Sequence, residues 1–135
     1  MWMGVKLTKD SIDLGIVVSD LDRSVAFYRD VLGFEDDGTM KVPGGGTMHR
    51  LLCGTSLIKL IHHPKDLPAP IPGGMNTSLG YRYCTISVDN IQEVVDACEA
   101  AGHKITVPVV EFRPGVTIAI VEDPDGNWVE FLTQS

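Results

Sequence analysis

TIAIVEDPDGNWVEFL, residues 117–132, reads as an apolar strand, a turn, and a second strand with an acid in its middle. Asp123-Pro124-Asp125-Gly126 supplies the turn: proline presets φ, glycine accepts a positive φ, and aspartate can hydrogen-bond the backbone beside it. The flanking runs therefore form a hairpin. In the second run Val129 and Phe131 point to one face, while Trp128, Glu130 and Leu132 point to the other, because side chains alternate along a strand. Strand positions favour apolar and β-branched residues, and a buried charge needs a partner, so Glu130 requires a group facing it.

Working back from this hairpin, residues 12–18, IDLGIVV, read as a strand. Ser19-Asp20 suits the cap of a helix over residues 21–31, with Leu21, Val25, Tyr28 and Leu32 at helical spacing and Gly33 as its stop. Residues 34–41, 47–53 and 56–62 follow as strands, separated by Pro43-Gly44-Gly45-Gly46 and by Gly54-Thr55. Residues 63–80, HPKDLPAPIPGGMNTSLG, hold four prolines and three glycines and suit neither a ladder nor a helix. A loop of that length is either a lid over a site or a plain crossover. Beyond it come a strand at 82–88, a helix at 90–101 ended by Gly102, a short strand at 103–106, and two strands from Val116 onward.

Both halves thus have the order β-α-β-β-β, and they repeat in detail. An offset of 70 lays Val88-Asp89-Asn90-Ile91 on Val18-Ser19-Asp20-Leu21 and Tyr83 on Asp13; an offset of 71 lays NWVEFL on SLIKLI and Glu130 on Lys59. The expected organisation is one domain over residues 1–135, with a first module at about 10–62, a linker at about 63–80 and a second module at about 81–133. Two such modules related by a pseudo-twofold would share a cleft lined by Asp13, Lys59, Tyr83 and Glu130, all of them polar.

The bulk composition narrows the function classes. With 44% hydrophobic and 21% charged residues, the 135-residue chain has the makings of a globular core. A net charge of −7, with 11 scattered basic residues, speaks against nucleic acid or an anionic membrane as partner. Cys53, Cys84 and Cys98 lack metal-knuckle spacing and are odd in number, so they read as reduced thiols. The short apolar start, followed at once by Lys6, Lys9 and Asp10, does not read as a targeting segment, and the expected location is cytoplasmic.

Three stretches carry a family resemblance: VVSDLDRSVAFYRDVLGF (17–34), ISVDNIQEVVDACEAAG (86–102) and VEDPDGNWVEF (121–131). In this order and spacing they make the chain resemble the vicinal oxygen chelate superfamily, which includes glyoxalase I, extradiol dioxygenases, fosfomycin-resistance proteins, methylmalonyl-CoA epimerase and bleomycin-binding proteins. The resemblance covers nearly the whole chain. It implies an α+β, glyoxalase-like fold in which two βαβββ modules pair into a curved, partly open barrel-like sheet around a cleft, usually in a homodimer. It further implies a divalent metal held at four strand positions, where the family pattern has His at Asp13, an acid at Lys59, His or a similar ligand at Tyr83, and Glu at Glu130. Only Glu130 matches. A divalent ion needs oxygen, imidazole or thiolate donors, and Lys59 offers a cation instead.

No cofactor is therefore expected, and the reading favours a metal-independent, isomerase- or lyase-like proton transfer on a small organic molecule. In it Lys59 takes over the charge of the ion, holds Asp13 and Glu130 ionised and, with Tyr83, stabilises a developing enolate or alkoxide; the less paired acid is the general base. One alternative is a non-catalytic binding or resistance protein for an antibiotic or metabolite, with Trp128, Leu57 and Ile61 as apolar walls and Trp128 stacking a planar ligand. A second is a divalent-metal glyoxalase or dioxygenase with a shifted ligand set that uses His63, which alternation from Lys59 places on the cleft side. Arg113, before Pro114-Gly115, is the candidate for attracting a substrate carboxylate or phosphate.

Overall fold

The first helix begins where Asp20 accepts the Arg23 backbone N–H at 3.0 Å, satisfying one of the donors that a helix start leaves free. This helix, α1 (Leu21–Val25), widens into a π-type segment, Ala26–Val31, in which Leu32 N donates to the Phe27 carbonyl five residues back. Gly33, at φ 82°, ends it, and Phe34 N reaches back to the Tyr28 carbonyl. Phe27 and Tyr28, adjacent in sequence, are both buried.

The computed structural model describes all 135 residues. Around α1 lie β1 (Leu14–Val17), β2 (Glu35–Lys41), β3 (Thr47–Cys53) and β4 (Ser56–His62). After the proline-rich segment come β5 (Tyr83–Ser87), α2 (Ile91–Ala100), β6 (Ile105–Arg113), β7 (Val116–Glu122) and β8 (Trp128–Gln134). The strands form two separate four-stranded sheets, ordered β1-β4-β3-β2 and β5-β8-β7-β6. β1 runs parallel to β4 and β5 parallel to β8; the other pairs are antiparallel. The repeat read from the sequence recurs in the register, since Gly15 lies opposite Lys59 and Thr85 opposite Glu130. One expectation is corrected: the strand placed at 103–106 runs instead from Ile105 to Arg113. Pro108 does not interrupt it because β6 is an edge strand whose register shifts between Val107 and Val110, so the missing N–H falls where the ladder is already irregular. No helix is long and apolar enough to cross a membrane.

One face of each sheet builds the core. Val18, Leu51 and Leu60 from the first module join Ala119, Val121, Val129 and Phe131 from the second, with Val25, Phe27, Tyr28, Ile91, Val95 and Cys98 filling the space between. Each fully buried Leu, Val or Phe in this cluster contributes on the order of 1.5–3 kcal/mol. Because side chains alternate along strands, the positions of Gly15, Lys59, Thr85 and Glu130 turn to the opposite faces. The two sheets are thus packed back to back through their helices, and their other faces point away from the shared core.

The 123–126 turn fastens this arrangement. Asp123 is only 5% exposed and accepts hydrogen bonds from Tyr28 Oη at 2.7 Å, Asn127 N at 2.8 Å, Asn127 Nδ2 at 3.0 Å and Asp125 N at 3.0 Å. Asp125 accepts from Ser19 N at 3.0 Å and from the Ser19 hydroxyl. The His103 ring meets Phe27 edge-on, with centroids 4.6 Å apart. A turn whose local chemistry is plain in the sequence therefore also ties the second module to the first.

Asp123→Ala strands a buried phenol and an amide, and is expected to cost about 2–4 kcal/mol in urea unfolding, against about 1 kcal/mol for Asp125→Ala at its more exposed site. Burial, and then the neighbouring Asp123, push Tyr28 well above its ordinary value of 10.0. Folding holds this phenol neutral, so its contribution is complete below pH 10.0 and is lost as pH rises further. Alkaline unfolding followed by circular dichroism should therefore coincide with a step in tyrosinate absorbance, and Tyr28→Phe should lose that step.

Candidate active site

Asp13 lies one residue before β1, and its Oδ1 accepts from Lys9 Nζ at 2.6 Å and from Leu57 N at 2.9 Å. The Lys9 bond, then the Leu57 N–H, and more weakly the charge of Lys59, hold its carboxyl below the usual aspartate value. Lys59 sits mid-strand on β4 between Gly15 on β1 and Arg50 on β3. It is half-buried and has no carboxylate partner. Leu57 and Ile61 flank it on the same face, Leu57 buried and Ile61 partly so. The open face of the first sheet is therefore cationic at its centre and apolar on either side.

On the second sheet, Glu130 Oε1 accepts from Thr85 Oγ1 at 2.7 Å across the parallel β5–β8 pair, and no cation reaches it. Tyr83, 45% exposed, is opposite Trp128 in the same pair. Ile120 lies beside Glu130 on the other side. A shallow depression adjoins this face, lined by Ser87, Asn90, Leu132 and Gln134 among others.

Within one chain the structure brings Asp13 near Lys59 and sets Tyr83 and Glu130 on one face of the second sheet, but it does not unite the two pairs. The expectation that Lys59 is clasped by Asp13 and Glu130 is corrected for the single chain. Lys9, beyond the strand, takes the Asp13 carboxylate, and Glu130 belongs to a sheet whose matching face is turned the other way.

The remaining candidates fare differently. Trp128 shares its face with Glu130 as expected, yet it is not free to stack a ligand on the side where Gly73 packs: a Cβ at position 73 would overlap the indole. His63 lies just past β4, with Nδ1 accepting from Lys65 N at 3.1 Å and Nε2 turned towards Gly44, so its ring is engaged by the β2–β3 turn. Arg113 is exposed at the tip of the β6–β7 hairpin, opposite Val116, whereas Glu130 is opposite Ile120. Four residues of β7 separate those positions, about 13 Å along the strand, which removes Arg113 from the immediate surroundings of Glu130.

The donor set does not fit the divalent metal that the fold family implies. Of the four positions, one carries an ammonium, one a phenol, and Asp13 already has its Oδ1 engaged by a cation and a backbone N–H. Nor do three His, Cys, Asp or Glu side chains come together elsewhere in the chain in a way that could hold an ion.

Comparison with known proteins settles the class. Residues 11–131 match the Glyoxalase/Bleomycin resistance protein/Dioxygenase superfamily, and the chain belongs to it. It is 32% identical over 123 residues to a lactoylglutathione lyase of Haemophilus influenzae, covering 85% of each chain. A virulence protein of Salmonella typhimurium is 30% identical over 131 residues, covering 93% of this chain and 85% of its own. The fold is shared with a glyoxalase family protein from Bacillus cereus, at TM-score 0.83, 20% identity and 99% coverage of both chains. The α+β glyoxalase-like fold expected from the sequence is observed, with the strands in two separate four-stranded sheets and not in one barrel-like sheet around a cleft within the chain.

Two contributors went unnoticed in the sequence. Lys9 is separated from its partner by a loop and carried no signal. Arg50 did carry one: a two-residue connection at Gly54-Thr55 fixes Cys53 opposite Ser56, and counting outward from that pair sets Arg50 opposite Lys59.

The segment over Trp128 is held by Arg82, whose guanidinium donates to Ile71 O at 2.6 Å and Thr77 Oγ1 at 2.8 Å. Gly73→Ala, at φ 59° and against the indole, should displace it. The expected readout, in a Trp2→Phe background, is red-shifted Trp128 fluorescence and a stability loss of about 1–3 kcal/mol.

Proposed function

We propose that the chain is a lyase- or isomerase-type enzyme of this superfamily that moves a proton on a small organic molecule, in a cleft formed between two copies. The Lys59 face of one copy would meet the Glu130 face of the other. The observation that carries this reading is the unpaired charge on each open face: a half-buried ammonium on the first sheet and a carboxylate with a single hydroxyl donor on the second. Charges set into strands without partners are costly unless something completes them, and pairing the two faces does so. Exposed apolar side chains on the same faces, Val17 at 56% and Tyr83 at 45%, support closure by a second copy.

In this cleft Glu130 is the general base. Asp13 is already held as the anion by Lys9 and the Leu57 N–H, which makes it the weaker base of the two. Lys59 supplies positive charge where negative charge develops on the substrate, and Tyr83 adds a hydrogen-bond donor. The relatives named lactoylglutathione lyase support a lyase or isomerase, and the substituted ligand positions support a mechanism in which side chains carry the charge. The three free cysteines suit a reducing compartment, and the proposed location is the cytoplasm.

The test combines sedimentation with two assays, lactoylglutathione formation and solvent-deuterium exchange into a panel of small carbon acids. Expected are a dimer and chelator-insensitive activity that falls by about a hundredfold or more in Glu130→Gln. A monomer that turns over, or activity that a chelator abolishes and Lys59→Ala leaves intact, would overturn the proposal.

A further inference from the structure

We infer that Gly15, Lys59 and Arg50 form a binding row for a small organic anion on the open face of the first sheet, so that the substrate of the proposed cleft carries a carboxylate or phosphate group. Lys59 and Arg50 are directly opposite in the antiparallel β3–β4 pair and therefore share a face. Like charges so placed repel; Asp37 offsets Arg50, whereas nothing in the chain offsets Lys59. The chain has 18 acidic residues, yet none lies within ion-pair reach of Lys59. The nearest candidate, Asp13, is spent on Lys9 and the Leu57 N–H.

Arg50 is both paired and positioned by Asp37, which leaves Lys59 as the cation without a partner. Asp37 Oδ2 accepts from its Nε at 3.2 Å and lies 3.2 Å from Nη2, which fixes the plane of the guanidinium. Nη1 has only the Met40 sulfur, at 4.0 Å, a weak acceptor. A held guanidinium with a donor to spare beside an unpaired ammonium is the donor set that recognises carboxylate and phosphate oxygens.

Gly15 supplies the space. It lies opposite Lys59 on β1, is exposed, and a Cβ there would meet nothing within 4 Å. Glycine inside a strand gives up side-chain packing, and an open position beside an ammonium lets a ligand approach the backbone closely.

The substrate class rests on the shared-cleft reading, but the binding row lies within one chain and can be tested separately. Isothermal titration at low salt would compare malonate, inorganic phosphate and uncharged malonamide on the wild-type chain and on Arg50→Gln, Lys59→Gln, Asp37→Asn and Glu130→Gln, each checked for fold by circular dichroism. Expected is binding of malonate or phosphate but not malonamide, with whichever binds tighter identifying the group. Arg50→Gln and Lys59→Gln should each weaken it by about ten- to hundredfold, while Asp37→Asn and Glu130→Gln, which keep both cations and remove a competing carboxylate, should not weaken it. Equal binding of malonamide, no binding of either anion, or affinity unmoved in both Arg50→Gln and Lys59→Gln would overturn the row. Anion binding that persists while Glu130→Gln leaves turnover unchanged would instead remove the proposed general base and leave the row standing.

Discussion

A carboxylate sealed inside a protein must be fully satisfied, and Asp123 sets how the two halves of this chain meet. Its four donors include one that the second module cannot supply, the Tyr28 hydroxyl from the first. Tyr28 reaches it because the helix before Gly33 is wound wider over its last turns, which buries two consecutive aromatics. The helices consequently lie between the sheets, and everything chemically distinctive is left on the outside. Had the helices faced outward, Asp123 would have kept its three local donors and lost the Tyr28 hydroxyl, the one that joins the modules.

The two modules repeat in backbone but not in charge. The same strand position holds Lys59 in one sheet and Glu130 in the other, each opposite a small residue, Gly15 or Thr85. Two copies of the first face would set cations against cations, and two of the second would set acids against acids. Only unlike faces complement each other, and the proposed twofold pairing of whole chains would satisfy both at once. The substitution that removes a metal-ligand type from one position is thus the same one that gives the pair of faces its sense.

Much of the fold was legible because it rests on local rules. The strand and helix limits at Thr47–Cys53, Ser56–His62 and Leu21 follow from alternation, a cap and a short turn, and they hold to within a residue or two. The internal repeat singled out the four candidate positions, because equivalent strands in equivalent modules need only counting. What escaped the reading depends on relations between distant segments. Tyr28 and Asp123 are 95 residues apart, and nothing at either position announces the other. Lys9 takes Asp13 from a segment with no regular structure, so alternation had no purchase on it. The extent of β6 depended on its being an edge strand, which is a property of the sheet and not of the residues Val107-Pro108-Val109. Trp128 was placed on the right face, while its cover came from a loop whose path proline and glycine content does not specify.

That cover gives the second sheet a direction. Along its open face the side chains run in rows: Tyr83, Trp128 and Glu122 first, then Thr85, Glu130 and Ile120, then Ser87, Leu132 and Ile118. Pro72 and Gly73 lie across the first row, against Trp128 and the turn glycine, Gly126. The last row opens onto the depression beside Asn90 and Gln134. The central row is therefore closed on its Trp128 side and open on its Leu132 side, and in the proposed cleft a substrate would reach Glu130 from the Leu132 end.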